Sequence, residues 1–270
     1  MSRIVEQLPG CLGQGRPLVL FPHAGGSPRF FRHWSGHVKG AQLLGVTYPG
    51  RDHRIGETHP VDLSTLAEDI AGELSSHLES HLESHLGSHL GSPTNPVLFG
   101  HSMGALVAHE VARRLTACGS LPTLVVSGHD APGSRTFRRT MHQRPDWELI
   151  ADLVRLNQRN AEVFALPELT QIFLPTIRED YRMVETHRAH DAAESGPKIP
   201  RILVINGDAD PEVTSKGAHA WGEHAVRFDG VRLVPGDHFH HAAPQLHCCR
   251  VLSDYLSPHL EGADGEPHPA

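Results

Sequence analysis

Short, almost wholly apolar runs separated by loops and longer helical stretches limit most sharply what this chain can fold into. The clear runs are Pro17–Phe21, Gln42–Tyr48, Pro96–Phe99, Thr123–Ser127 and Arg201–Ile205, with a weaker one at Val231–Val234. Helical patterning fills Leu63 to about Leu90, Ala105–Thr116 and Ala242–Leu256. A strand with one wet face alternates polar and apolar residues, whereas a continuous apolar strand is covered on both faces. Alternation of such strands with helices predicts βα units and a mostly parallel central sheet flanked by helices, an α/β fold. At 270 residues, 39% of them hydrophobic and 20% charged, the chain reads as one domain, 1–270, with a large core.

Charge and cysteine usage narrow the partners. Asp and Glu outnumber Lys and Arg by 31 to 24, a net charge of −7, where a nucleic-acid binder would show a basic face. No apolar run reaches the roughly 18 residues that a membrane span needs. Glu6 stands where a signal peptide would begin its apolar stretch. Cys11, Cys118 and the adjacent Cys248 and Cys249 have no zinc-type spacing and make no disulfide framework, so a reducing cytoplasm is the expected location.

Three segments stand apart from the alternation. From about 135 to 190 no strand pattern occurs, and stretches such as Trp147–Val154 and Leu169–Thr186 read as amphipathic helices. A helical insert between two core strands is expected to act as a lid over the strand ends. Residues 76–91 repeat Ser-His-Leu four times, placing His77, His81, His85 and His89 four apart on a surface helix. That spacing can chelate a metal, but a tandem expansion explains it more simply, and no metal is expected. Residues 261–270 read as a frayed tail.

The chemistry centres on Gly100-His101-Ser102-Met103-Gly104, which fits G-x-S-x-G. The match alone is weak, but its position between a strand and a helix is what a nucleophile elbow requires. Ser102 would stand at the helix N-terminus, where backbone N–H groups favour negative charge. A serine hydroxyl needs a base. His238, in Pro235-Gly236-Asp237-His238 after the last strand, is placed to serve, with His240 and His241 as rivals. A carboxylate should follow Arg201–Ile205, and both Asp208 and Asp210 qualify. Asp210, three residues past Gly207, better clears the turn, leaving Asp208 to stabilise the loop. The order Ser…Asp…His is that of the α/β-hydrolase fold. For an oxyanion hole, the Met103 N–H and the Ala24 N–H of His23-Ala24-Gly25-Gly26 are the expected donors. Neither G-x-G-x-x-G nor a P-loop lysine is present, so no nucleotide site is expected.

These motifs, together with Phe21–Ser27 and Tyr48-Pro49-Gly50-Arg51, resemble those of type II thioesterases over about Leu18 to Leu256. These are stand-alone enzymes of polyketide and non-ribosomal peptide assembly lines. The resemblance implies an α/β-hydrolase that removes stalled or aberrant acyl groups from the phosphopantetheine arm of carrier proteins, its partners. By motif match it implies Ser102, Asp210 and His238 as triad, Ala24 and Met103 as oxyanion hole, and no cofactor. Asp237 stands where a second glycine is common and His240 where an aromatic is common; the Ser-His-Leu repeat has no counterpart. An esterase or lipase acting on free esters and a non-catalytic acyl- or carrier-binding protein are the alternatives. The basic cluster Arg135, Arg138, Arg139 and Arg144 on the insert reads first as a solvated helix face, and second as a patch that would attract an acidic carrier or the phosphate of its arm.

Overall fold

Strand β2 (Arg16–Phe21) lies near the middle of a seven-stranded sheet, with five of its six residues buried. The computed structural model describes residues 3–9, 15–85, 95–134, 140–187, 196–242 and 246–257. The other strands are β1 (Val5–Gln7), β3 (Ala41–Val46), β4 (Val97–His101), β5 (Thr123–Ser127), β6 (Ile199–Gly207) and β7 (Ala225–Val234). Their order across the sheet is β1-β3-β2-β4-β5-β6-β7. Only the β1 pairing is antiparallel; every other neighbouring pair is parallel.

The continuous apolar runs are explained by the two cores they fill. Val19 and Phe21, Leu98, Leu124 and Val126 face one core; Leu18 and Leu20, Phe99 and Val125 face the other. Successive strand side chains point to opposite faces, so a strand covered on both sides must be apolar at every position. Helices α1 (Leu63–His85) and α2 (Met103–Ala117) cover the first face. The last helix, His247–Leu256, covers the second with Cys248, Cys249, Leu252 and Leu256, beside Phe31 and Trp34 of a 3₁₀ segment. The adjacent cysteines are thus core residues, and burial pushes the Cys249 thiol up to about 12.

The sequence pattern missed β1 and underestimated β7. Three residues are too few to show a period; β1 pairs antiparallel with β3, and Glu73 on α1 accepts the amides of Ile4 and Val5 at 2.7 and 2.9 Å. Strand β7 runs ten residues along the open edge, where its exposed side chains hide the apolar signal.

On α1 the buried stripe Leu63, Leu66, Ile70 and Leu74 holds the first half of the helix to the sheet. The repeat enters at Ser76, and the Ser80 hydroxyl donates to the Ser76 carbonyl at 2.9 Å. The side chains of His81, His85 and His89 lie outside the described residues, as does the segment 261–270. Among the described residues no three metal-ligating side chains cluster, and no helix is long and apolar enough to cross a membrane.

Between β5 and β6 come α3 (Asp146–Leu156), α4 (Asn160–Phe164) and α5 (Pro167–Thr186), the only regular elements longer than a single turn described in that interval. They carry a small core of their own, Leu149, Leu153, Leu174 and Ile177. From this core α5 continues inward until Met183 is fully buried in the larger core that α1 and α2 also line. The sixth helix, Ser215–Ala220, follows β6 and precedes β7.

Candidate active site

Ser102 follows β4 directly and stands at the N-cap position of α2 with φ 54° and ψ −119°, a conformation that costs a non-glycine residue about 1–3 kcal/mol. The surroundings over-determine it. The Ser102 amide donates to the Ser127 carbonyl at 2.8 Å, and its own carbonyl accepts the Ala105 amide at 2.9 Å. Gly104 lets the turn sit against β2: a Cβ there would lie 2.0 Å from the Phe21 carbonyl oxygen. The result is a tight strand–turn–helix that turns the Ser102 side chain toward a cavity above the strand ends.

Two loops leaving the same edge of the sheet bring His238 and Asp210 together. The amide of Asp208 donates to the Val234 carbonyl at 2.9 Å, and that of Ala209 to the Gly236 carbonyl at 3.0 Å. The Asp208 carboxylate accepts the Gly236 amide at 3.0 Å. This zipper leaves Asp208 bridging the loops and turns Asp210 to the histidine. The Nδ1–H of His238 is shared by both carboxylate oxygens of Asp210, at 3.0 and 2.9 Å. Burial pushes the Asp210 carboxyl up, but the hydrogen bond and charge of His238 and the Glu212 amide at 2.9 Å hold it below its usual value. With Nδ1 donating, Nε2 is the ring nitrogen left to take a proton.

A cavity of about 150 Å³ opens over these groups and is lined by Ala24, Ser102, Met103 and His238. Its walls come from the insert, with Leu153, Phe164, Ile177 and Val184 among them. Ala24 belongs to a turn closed by the Gly26 amide on the His23 carbonyl at 2.8 Å. Met103 is the first residue of α2, so its amide is one of the helix donors that lack an internal partner.

The rival histidines have other work. His240 Nδ1 donates to the Asp237 carbonyl at 3.2 Å, so in the neutral ring Nε2 accepts from the Ser127 hydroxyl, also at 3.2 Å. The Ser127 oxygen in turn accepts from His101 Nδ1 at 3.1 Å. This chain ties β5 to the elbow from beneath. His241 packs its ring on His101, with centroids 3.9 Å apart, and its ring nitrogens have no hydrogen-bond partner among the described residues. Burial holds His23 down at about 3 and His240 at about 4, and keeps His101 and His241 well below the usual value.

Sequence reasoning missed one site residue. Asp180 is fully buried on α5 and accepts the Gly25 amide at 2.7 Å. The signal was present: Leu174, Ile177, Asp180 and Met183 recur every three residues, so a carboxylate occupies an apolar stripe. Of the insert's basic cluster, Arg144 is described, 3.8 Å from Glu148; Arg135, Arg138 and Arg139 lie outside the described residues.

A serine at a strand–helix elbow, with a histidine and an aspartate on later loops of a mostly parallel sheet, defines an α/β-hydrolase. The family model described as Thioesterase domain matches residues 16–82 and 89–255, its gap falling inside the Ser-His-Leu repeat. The chain belongs to this family, on its type II branch. It is 36% identical over 228 residues to a probable cadicidin biosynthesis thioesterase of Streptomyces griseus, covering 82% of this chain and 57% of the relative's length. To thioesterase PikA5 of Streptomyces venezuelae it is 31% identical, covering 88% of this chain and 80% of that protein. The solved type II thioesterase BorB, from the borrelidin biosynthetic cluster, superimposes with a TM-score of 0.78 at 32% identity, covering 95% of this chain and 99% of the other.

Proposed function

We propose that this chain is a serine thioesterase that hydrolyses acyl groups from the phosphopantetheine arm of carrier proteins in polyketide or non-ribosomal peptide biosynthesis. The His238–Asp210 pair beside Ser102 in one cavity carries the reading of the chemistry. The carrier-bound substrate is supported by relatives such as YbtT, a type II thioesterase from the Yersiniabactin NRPS/PKS biosynthetic pathway, 28% identical with a TM-score of 0.80.

In the first half-reaction Ser102 Oγ attacks the thioester carbonyl carbon while His238 Nε2 takes its proton. Asp210 keeps Nδ1 protonated and stabilises the imidazolium. Negative charge gathers on the carbonyl oxygen, where the amides of Ala24 and Met103 receive it. The C–S bond then breaks, His238 returns the proton to the departing sulfur, and the acyl group remains on Ser102. Water attacks this ester, giving its proton to His238; collapse passes the proton back to Ser102 Oγ and releases the free acid. No step needs a metal or an organic cofactor. The helices 146–186 act as a lid that walls the acyl chamber and keeps bulk water from it. A reducing cytoplasm suits the free thiol of exposed Cys118.

Ser102→Ala tests the chemistry. Triad removal leaves only about 10³–10⁴-fold catalysis over water in the protease precedent, so turnover should fall by at least about 10³-fold with an unchanged melting temperature. Near-normal turnover, or fluorophosphonate labelling at another residue, would overturn the assignment. For the substrate, kcat/KM should be higher for an acyl group on a carrier protein than for the same group on a small thiol. Equal values would leave a general thioester or ester hydrolase.

A further inference from the structure

The Tyr48–Arg51 segment and α5 meet under the turn that carries Ala24. Arg51 comes from the loop after β3, and its side chain is 8% exposed; Asp180 is fully enclosed. Nη2 of Arg51 and Oδ1 of Asp180 are 2.7 Å apart. Each partner also grips the turn. Arg51 Nη1 donates to the Gly26 carbonyl at 3.0 Å, and the other Asp180 oxygen accepts the Gly25 amide at 2.7 Å. Ile177, one helical turn before Asp180, closes the remaining side: a Cβ on Gly25 would lie 2.6 Å from its Cγ1. The Thr176 hydroxyl donates to the Gly50 carbonyl at 3.3 Å, joining α5 to the Arg51 loop a second time.

What this achieves follows from the turn's geometry. Gly26 N–H bonds the His23 carbonyl, so Ala24 and Gly25 are the central residues of a β-turn, and Gly25 has φ +73°. A positive φ at the third position marks a type II turn, which differs from type I by a flip of the central peptide. The Gly25 N–H belongs to that central peptide, and Asp180 is its acceptor. Stability alone does not account for the arrangement, since buried ion pairs can often be replaced by apolar side chains without loss.

We propose that Asp180 and Arg51 are positioning residues for the oxyanion hole: through them, α5 of the insert fixes the central peptide of the His23–Gly26 turn so that the neighbouring Ala24 N–H faces the cavity. The insert therefore completes the catalytic machinery as well as walling the chamber. This rests on the assignment of Ala24 as an oxyanion donor under the proposed function.

The test compares Asp180→Asn, Arg51→Gln, Arg51→Lys and the double replacement Arg51→Met with Asp180→Leu, using an acyl thioester of N-acetylcysteamine as substrate. Active sites are titrated with a fluorophosphonate, so that kcat is counted per folded site and partial unfolding does not imitate the effect. Loss of one oxyanion donor costs about 10²–10³-fold in kcat, so a mis-set donor should cost about 10- to 100-fold, with KM within about threefold. The double replacement should keep its thermal stability and still lose kcat, which a purely structural role would not produce. Arg51→Lys, which keeps the buried charge, should lose less, and it carries the test where larger changes do not fold. Arg182→Gln, which breaks bonds from the same helix to the Pro60 and Val61 carbonyls, should leave kcat unchanged. Clamp variants with kcat within twofold of wild type, while Ser102→Ala is inactive, overturn this inference alone. An active Ser102→Ala overturns the reading beneath it.

Discussion

Ser102, Asp210 and His238 stand on loops leaving one edge of the sheet, whereas Asp180 and the apolar cavity wall stand on helices inserted between β5 and β6. The sheet side is held by short-range backbone bonds: the elbow over Ser127, and the zipper between the loops after β6 and β7. The insert has a four-residue core of its own and reaches the sheet side chiefly through the inner face of α5. The groups that would exchange protons thus sit on loops tied to one another and to the sheet by hydrogen bonds. Those that shape and close the cavity sit on a separately packed layer, where walls can change at positions other than Asp180, which ties that layer to the His23–Gly26 turn.

That contrast breaks most visibly at the carboxylates. Asp210→Asn should lower kcat by about 10³–10⁴-fold through loss of tautomer control, while Asp208→Asn, which only weakens the loop zipper, should cost no more than a few-fold. Steady-state kinetics on the two variants decides it. A crippled Asp208 variant beside a healthy Asp210 one would mean that the zipper, and not the His238 hydrogen bond, is what the site depends on.

Acid should act on the sheet side next. Burial keeps His23, His101, His240 and His241 neutral in the folded protein, His23 down to about 3 and His240 to about 4. In the unfolded chain each would titrate near 6.5. Below that pH the unfolded state binds protons that the folded state refuses, so stability is complete above about pH 6.5 and declines as pH falls toward 4 and then 3. Each histidine contributes up to about 1.4 kcal/mol per pH unit within its window. Urea midpoints measured from pH 7.5 to 5 should therefore hold to about pH 6.5 and fall below it, and a flat profile throughout would mean that water or protons reach these rings.

The smallest expected effect belongs to the repeat. Deleting Ser80 through Gly87 removes two of the four repeats and leaves the buried stripe Leu63–Leu74 in place. Turnover should remain within about threefold of wild type, and elemental analysis of protein purified without a tag should find no stoichiometric metal. Bound zinc or nickel, with activity lost on chelation, would give the repeat a function.

Much of the architecture was legible in the chain because it rests on local rules. Five apolar runs predicted strands that form, and the glycines around Ser102 predicted a strand–helix turn, since periodicity and steric crowding act within a few residues. Tertiary structure alone paired Asp210, and not Asp208, with His238, for that pairing lies in hydrogen bonds between loops 28 residues apart. It also joined Arg51 to Asp180, 129 residues away, and sent the spare histidines His240 and His241 into the interior. Asp180 broke an apolar stripe in plain view, yet nothing near it in the chain identifies its partner. A buried charge is tolerable only where a distant countercharge meets it, and the folded chain alone brings the two together.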